Sequence, residues 1–161
     1  IGIHFGPVII GTIGSDDRMD TTVLGDSVNI AYRLESLTKK YNADIIVSAQ
    51  TLETVGAGYP VKTRLLDWVK VKGRQSAIEV YEVLDHLSEE EQKARLSVQT
   101  QITAGLACRM RREWDDAIAH FMKARDINPQ DQLPQHHIDV CLQYRNLTLS
   151  EDWDGALKLH H

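Results

Sequence analysis

Residues 22–33, TVLGDSVNIAYR, decide the fold of the first half of this chain. The run before Gly25 is short and rich in β-branched residues, which predicts a strand. Gly25 is suited to a tight turn, and Asp26 is suited to capping a helix that we expect to reach about Lys39. The stretch therefore predicts a strand, a turn and a helix in direct succession.

Two polar residues stand on one side of that predicted helix. Asn29 and Arg33 are four residues apart, so their side chains lie within about 40° of each other around the helix axis. Ile30, Leu34 and Leu37 form the adjoining apolar stripe. The spacing alone leaves two interpretations open. The pair either makes local contacts at the edge of the core or lines a cleft.

Outward from this stretch, the first 86 residues alternate β-rich runs with short helical ones, whereas the remainder is helical in pattern. We predict a boundary between residues 85 and 90, with one domain over 1–86 and a second segment over 87–161. The predicted strands cover residues 1–5, 8–13, 21–24, 44–48, 63–72 and 78–84, and a short helix is predicted over 50–54.

The second half begins with a helix-start signature. Ser88 followed by Glu91 fits a capping box. Further along, Ile102, Leu106 and Met110 share one face of a helix. No linker of low complexity precedes these helices, so we expect them to pack against the first half.

Residues 105–129, which cover parts of two predicted helices, have the spacing of a tetratricopeptide repeat. Gly105, Ala117, Phe121, Ala124 and Pro129 stand at positions typical of this repeat of about 34 residues. Three other positions depart from the residues that the repeat favours: Gln101, Ala104 and Cys108. A lone repeat cannot bury both of its faces, so we expect the first half to support one side.

A last helix is predicted over 134–144, with Ile138, Cys141 and Leu142 in the core. Cys108 and Cys141 are the only cysteines, and they lack the spacing of a metal site. We interpret both as buried core thiols of a protein in a reducing compartment.

The composition argues against two classes of partner. A formal net charge of −5 argues against a nucleic-acid-binding surface. No apolar run approaches the ~18–20 residues that span a membrane, so we expect a soluble, cytoplasmic segment without membrane contact of its own. The chain begins with Ile inside a strand pattern. We therefore expect a C-terminal piece of a longer protein, whose other segments decide whether it is anchored to a membrane.

Three motifs of the first half match a known family in order and spacing: GIHFG at 2–6, GDSVNIAYRLE at 25–35, and VKGR at 71–74 before EVYEV at 79–83. Over residues 1–85 the chain closely resembles the second half of the catalytic domain of class III nucleotidyl cyclases, the adenylate and guanylate cyclase family. The resemblance implies an α+β fold of ferredoxin-like type, incomplete here, with an antiparallel sheet and helices on one face. A tetratricopeptide-like helical tail is expected to follow it.

The resemblance also implies a reaction. Class III cyclases convert a nucleoside triphosphate into a 3′,5′-cyclic monophosphate and pyrophosphate by in-line attack of the 3′ oxygen on the α-phosphate. It implies that Asn29 orients the ribose, that Arg33 stabilises the transition-state phosphate, and that Lys72 pairs with the terminal phosphates. A planar, permanently charged guanidinium suits the second role. The other interpretation of Lys72 is a solvated hairpin lysine.

The resemblance further places Thr22, three residues before Gly25, at the position that selects the base. Asp or Thr there is typical of adenylate cyclases and Cys of guanylate cyclases, and the backbone of Val23 would flank the base edge. This favours ATP as the substrate and an adenylate cyclase in signal transduction. Three alternatives stay open: Thr22 as a plain strand residue, a guanylate cyclase, and a non-catalytic cyclase-like module that dimerises or senses nucleotide.

The resemblance finally implies cofactors and partners. Family members bind two Mg²⁺ or Mn²⁺ ions through two Asp residues in the first half of the domain, and no segment here matches those strands. We expect the metal ligands upstream and none in this chain. The family's site forms between two subunits packed head to tail, so we expect a homodimer and a fragment that is inactive alone. The helical tail either docks a protein partner or stabilises the domain.

Overall fold

The computed structural model of the protein describes residues 1–15, 18–70 and 77–158. These ranges contain strands β1 (Gly2–Ile3), β2 (Ile9–Ser15), β3 (Arg18–Leu24), β4 (Ile46–Ser48), β5 (Thr63–Lys70), β6 (Ile78–Val83) and β7 (Leu157–Lys158). They also contain helices α1 (Asp26–Tyr41), α2 (Ala49–Val55), α3 (Glu89–Ser97), α4 (Gln99–Met110), α5 (Trp114–Ile127) and α6 (Gln132–Arg145). The class is α+β, as the sequence predicts.

A five-stranded sheet with the order β1-β4-β6-β5-β7 forms the base of the fold. The strands β4, β6 and β5 pair antiparallel, whereas β1 pairs with β4 and β7 with β5 in parallel. The sheet is therefore mixed and not purely antiparallel as expected. The reason at one edge is that α1 lies between β1 and β4 in the chain, and a helix crossover of this kind joins parallel strands. Strands β2 and β3 form a separate antiparallel ribbon.

Helix α1 begins where the sequence predicts but is capped differently. Gly25, not Asp26, is the N-cap residue, with φ 146° and ψ 165°. Asp26 is instead the first helical residue, where its negative charge complements the positive end of the helix dipole. The predicted apolar stripe is confirmed, since Ile30, Leu34 and Leu37 are all buried.

The capping box that opens the helical half is confirmed. The Ser88 hydroxyl accepts from the Glu91 backbone N–H at 3.3 Å, and the Glu91 carboxylate accepts from the Ser88 N–H at 3.1 Å. The predicted continuous face from Ile102 to Met110 is only partly buried. Ile102 is in the core, whereas Met110, at the end of α4, is 46% exposed.

Helices α4 and α5 pack unusually closely. A Cβ on Gly105 would lie 2.5 Å from the Phe121 ring, so no larger residue fits at this crossing without movement. Ala117 and Ala124 on the same helix as Phe121 are fully buried. Gly105 of α4 therefore packs directly against Phe121 of α5, both at positions of the predicted repeat spacing, while membership of the tetratricopeptide family stays a prediction.

Helix α6 starts earlier than predicted, because Asp131 caps it by accepting from the Leu133 N–H at 3.2 Å. Ile138 and Cys141 are buried as expected, but Leu142 is 41% exposed and its assignment to the core was wrong. The buried positions of α6 are centred about 120° around the helix from Leu142. These are Leu133, Pro134, His137, Ile138, Val140 and Cys141.

One continuous core joins the two halves. It contains Ile30 and Leu66 from the first half and Leu106 and Phe121 from the helical half. The expectation that the helices pack against the first half is thereby confirmed. The predicted boundary at 86/87 stays a prediction, because the shared core does not divide there.

Both cysteines are free and buried, which confirms their interpretation as core thiols. Burial raises the pKa of the Cys141 thiol to about 11. Cys108 is likewise enclosed, and burial raises its pKa above the ordinary value. Neither thiol is therefore an activated nucleophile.

The end of the chain returns to the sheet. β7 pairs with Val69 and Lys70 at the end of β5. Before it, the Trp153 ring lies 5.6 Å from the Trp114 ring and 5.7 Å from the Tyr144 ring. The second segment is therefore not purely helical, since it also supplies the outermost strand beside β5. None of the helices in the described ranges has the length and apolar character needed to cross a bilayer.

Candidate functional site

The β3–α1 connection carries four of the five residues that the sequence assigns to substrate. Thr22 lies opposite Gly11, and Val23 opposite Ile10, in the β2–β3 ribbon. Thr22 is half-buried, whereas the Val23 side chain is 44% exposed. Both residues come just before the turn into α1.

Gly25 makes that turn possible. Its φ of 146° lies in a region that L side chains rarely adopt, and a Cβ there would lie 3.4 Å from the Pro7 carbonyl oxygen. The Gly25 carbonyl accepts from the N–H groups of Val28 at 3.2 Å and Asn29 at 3.4 Å. The turn thus joins the strand of Thr22 directly to the first turn of the helix that carries Asn29.

Asn29 and Arg33 border the buried stripe of α1, as the spacing predicts. Asn29 is exposed and Arg33 is half-buried. The NH1 nitrogen of Arg33 is itself buried and has no hydrogen-bond partner among the described residues. A buried, charged donor without a partner is costly, and an anionic oxygen is the acceptor that relieves this cost best.

Lys72, the fifth predicted residue, lies outside the described residues together with the rest of the VKGR motif. The structure describes the strands on either side, since β5 ends at Lys70 and β6 begins at Ile78. The assignment of Lys72 to the terminal phosphates therefore stays a prediction.

The structure reveals a buried ionic cluster that the sequence reasoning missed. Asp67 on β5 pairs with Arg109 on α4. Its Oδ2 atom accepts from the Tyr41 hydroxyl, at the end of α1, at 2.9 Å. His137 on α6 completes the set, which we call the Asp67 cluster. All four side chains are essentially buried, and together they join the helical half to both α1 and β5.

The hydrogen bonds of the Asp67 cluster define its charges. The Leu66 carbonyl accepts from His137 Nε2 at 2.9 Å, which leaves Nδ1 to accept from Arg109 NH1 at 3.3 Å. His137 is therefore neutral, and burial together with the nearby guanidinium lowers its pKa to about 3. Burial alone would raise the pKa of Asp67, but the Arg109 charge and the hydrogen bonds from Arg109 and Tyr41 together outweigh it, and that pKa lies below its ordinary value.

A second ionic cluster lies nearer the start of β5. The Arg64 Nε donates to Glu82 at 2.6 Å, and its NH2 donates to Asp131 Oδ1 at 3.2 Å. Arg95 on α3 also pairs with Glu82 and donates to the Asn42 carbonyl at 3.2 Å. These four charged residues form the Arg64 cluster, which joins the sheet to α3 and to the start of α6.

The Asp67 cluster has a signal in the sequence. Asp67 interrupts the apolar run of β5 between Leu66 and Trp68. Arg109 falls on the buried face of α4, seven residues after Ile102, and His137 falls four residues before Cys141 on α6. Charged or titratable residues on the core face of a helix are seldom buried without a partner. The pattern could have indicated buried pairs, although not which residues pair.

Asp67, His136 and His137 place possible metal-ligating atoms within 4.8 Å of one another. These residues do not fit a cation. The Asp67 carboxylate is already paired with the Arg109 guanidinium, and both ring nitrogens of His137 are engaged in hydrogen bonds. A divalent ion there would face a fixed positive charge at contact distance.

Comparison with known proteins agrees with the motifs. The family model described as "Adenylate and Guanylate cyclase catalytic domain" matches residues 1–85. An "Adenylate cyclase" of Anabaena cylindrica is 45% identical over 84 residues, which is 52% of this chain and 17% of that protein. "Adenylate cyclase, terminal-differentiation specific" of Dictyostelium discoideum is 33% identical over 144 residues, which is 89% of this chain and 7% of that protein. An alignment of this length extends well into the helical half.

Solved structures of two bacterial cyclases are also similar. A bacterial light-regulated adenylyl cyclase matches with a TM-score of 0.44 and 33% identity, over 55% of this chain and 24% of that one. The adenylyl cyclase CyaB from P. aeruginosa matches with a TM-score of 0.43 and 32% identity, over 52% and 41% of the two chains. The chain spans less than a fifth of the length of the Anabaena and Dictyostelium proteins. Because the catalytic-domain model matches more than half of its residues, the chain belongs to the adenylate and guanylate cyclase catalytic domain family.

Proposed function

We propose that this chain is part of a class III adenylate cyclase that converts ATP into 3′,5′-cyclic AMP and pyrophosphate. The observation that carries the proposal is the α1 edge. There Asn29 is exposed to solvent and Arg33 holds a buried guanidinium nitrogen without a partner among the described residues. The match to the family model over residues 1–85 supports the same roles.

The proposed chemistry needs positioning and positive charge. The 3′ oxygen forms a bond to the α-phosphorus as its proton leaves. The bond from that phosphorus to the oxygen bridging to the β-phosphate breaks, and pyrophosphate departs. Negative charge develops on the transferring group, and the Arg33 guanidinium is a preorganised donor for it. Asn29 holds the ribose so that the oxygen attacks in line.

ATP is the proposed substrate because Thr22 offers a hydroxyl beside the base. A hydroxyl can accept from the adenine amino group or donate to a ring nitrogen. The Anabaena and Dictyostelium relatives are both named adenylate cyclases, which supports this choice over GTP. Lys72 completes the proposed set as the group that binds the terminal phosphates.

The test is a cyclase assay on the complete protein that carries this chain, with ATP and GTP compared. We expect Arg33→Ala to lower turnover by about 10²–10³, as loss of a transition-state charge contact does. Arg145→Ala is the matched control, since that guanidinium pairs with the exposed Asp115 on the far helices at 3.0 Å. It should leave turnover unchanged.

Four results would contradict parts of the proposal. Turnover unchanged by Arg33→Ala would remove the assigned role, and a complete protein that binds ATP without forming cyclic AMP would indicate a non-catalytic module. A preference for GTP would indicate a guanylate cyclase instead. The 161-residue chain alone should be inactive, and cyclase activity in it would contradict the division of the site between subunits.

The proposed partner is a second cyclase subunit. Several apolar side chains of the β1–β3 region are exposed in the single chain, and Ile9 and Ile10 are each 69% exposed. An apolar patch of this kind is typical of an interface, which supports the head-to-tail homodimer. Sedimentation of the complete protein tests it.

Class III cyclases in general use divalent metal ions. The identity of these ions and the upstream carboxylates that would bind them stay predictions. A cytoplasmic location also stays a prediction.

We propose that the tetratricopeptide-like tail supports the catalytic domain, because two buried ionic clusters tie it there. A protein partner for the tail stays a prediction.

A further inference from the structure

The Asp67 carboxylate is shared by three parts of the fold. Tyr41, the last residue of α1, donates to it at 2.9 Å. Arg109, near the end of α4, pairs with it through NH2 and lies 3.4 Å from its second oxygen through NH1. Asp67 itself stands in β5 at a register irregularity after Leu65. A single buried group therefore holds α1, the sheet and the helical tail.

The two elements on the catalytic side carry the proposed substrate residues. α1 bears Asn29 and Arg33 near its start and ends at Tyr41. β5 ends at Lys70, so the chain reaches Lys72 two residues later. The geometry of α1 against β5 at Asp67 thus bears on where Asn29 and Arg33 lie relative to the sheet.

The tail approaches the same carboxylate through several fixed contacts. Arg109 is held by His137 Nδ1 at 3.3 Å and lies over the Trp68 ring at 5.8 Å. At the end of β5, the tail strand β7 pairs with Val69 and Lys70. A shift of the guanidinium would therefore break its contacts with α6 and with β5.

We infer that Asp67 and Arg109 are positioning residues through which the helical tail sets α1 relative to β5. The inference rests on the proposed cyclase function, because it assigns a catalytic effect to this contact. A buried ion pair is weak evidence for stability as such, since apolar residues of similar volume often stabilise a core equally well. What distinguishes this pair is that Asp67 of β5 binds a side chain of α1 and a side chain of the tail on one carboxylate, whereas the Arg64 cluster reaches α1 only through the backbone carbonyl of Asn42, its C-cap residue.

The kinetic test uses the complete protein with Tyr41→Phe, Arg109→Lys and the double variant. Tyr41→Phe removes only the hydroxyl that ties α1 to Asp67. We expect each single variant to lower kcat by about tenfold with KM for ATP changed less than about twofold, because Arg33 acts mainly in the transition state. If Arg109 acts on α1 through Asp67, the double variant should be no slower than the slower single variant.

Two matched controls separate positioning from stability. Tyr81→Phe removes a hydroxyl that bonds to Glu79 at 2.7 Å on the sheet, away from the tail. Asp131→Asn weakens the link between Arg64 and the start of α6, and it leaves both the Tyr41 contact and the Arg95–Asn42 contact in place. At temperatures well below those at which they unfold, both control variants should have the same kcat as the parent. A kcat for Tyr41→Phe equal to that of Tyr81→Phe, or multiplicative effects in the double variant, would overturn the inference.

A second readout does not depend on activity. In the 161-residue chain, Arg109→Lys should raise amide hydrogen exchange in the last turn of α1 by about tenfold, whereas Asp131→Asn should not. An increase confined to α4 would overturn the inference. If the complete protein makes no cyclic nucleotide, the proposed function fails, and the exchange result still decides whether the tail holds α1.

Discussion

Protonation of His137 should make the fold sensitive to mild acid. The folded state keeps this imidazole neutral, with a pKa lowered to about 3 by burial, whereas an unfolded histidine titrates near 6.5. Between these values the unfolded chain binds a proton that the folded chain does not. The stabilisation is therefore complete above about pH 6.5 and is lost as the pH falls toward 3.

The expected size follows from that difference. Each pH unit below 6.5 costs about 1.4 kcal/mol per buried histidine, so His137 alone should lower the unfolding free energy by about 2 kcal/mol between pH 7.5 and 5. His136, whose pKa burial lowers to about 4, adds a slope of the same sign. Against the 5–15 kcal/mol that stabilises typical domains, this loss is readily measured.

The assay is urea unfolding of the 161-residue chain, followed by tryptophan fluorescence at several pH values from 7.5 to 5. Trp68 lies beside Arg109 and reports directly on the cluster. The matched variant is His137→Gln, whose amide nitrogen can still donate to the Leu66 carbonyl. The pH dependence contributed by groups common to both proteins, such as Glu82, cancels in the difference between the two stability curves.

We expect His137→Gln to be less stable than the parent at pH 7.5 but to lose about 2 kcal/mol less on acidification to pH 5. Parallel curves for the two proteins would refute the reasoning, because they would show that His137 binds no additional proton on unfolding.

Three further predictions concern the site, the helix crossing and the returning segment. Thr22→Cys in the complete protein should reduce the ATP-over-GTP ratio of kcat/KM by about tenfold, and an unaltered ratio would contradict its role as base selector. Gly105→Ala should cost about 1–3 kcal/mol in urea unfolding because of the Phe121 ring. Adding Phe121→Leu should recover part of that loss if the ring is the cause. Trp153→Ala should cost about 1–3 kcal/mol through its lost ring contacts, including that with Trp114. No change in the urea midpoint would show that the returning segment contributes nothing.

Local elements followed closely from the sequence. The helix that begins after Gly25 and the capping box at Ser88 both rest on interactions between neighbouring residues. The edge position of Asn29 and Arg33 follows from the helical repeat alone. Errors arose where a long-range contact decides which face is buried, as at Leu142, or where the end of a helix becomes exposed, as at Met110.

In the candidate site, too, the local features followed from the sequence, whereas the contacts from distant segments did not. The order of Thr22, Gly25, Asn29 and Arg33 along a strand, a turn and a helix is a local property, so the motif was sufficient to predict it. The lack of a partner for Arg33 NH1 among the described residues required the packed structure. No local rule states which groups approach a side chain from distant segments.

The sequence by itself determined the α+β class, the family and the residues expected to bind substrate, because these depend on spacing within short segments. Only the tertiary structure decided that the helical half shares one core with the catalytic half and pairs a strand with β5. It alone also brought together Tyr41, Asp67 and Arg109, which are separated by 26 and 42 residues in the chain. The physical reason is that a buried charge must find a partner wherever the fold provides one, and sequence distance places no limit on that choice.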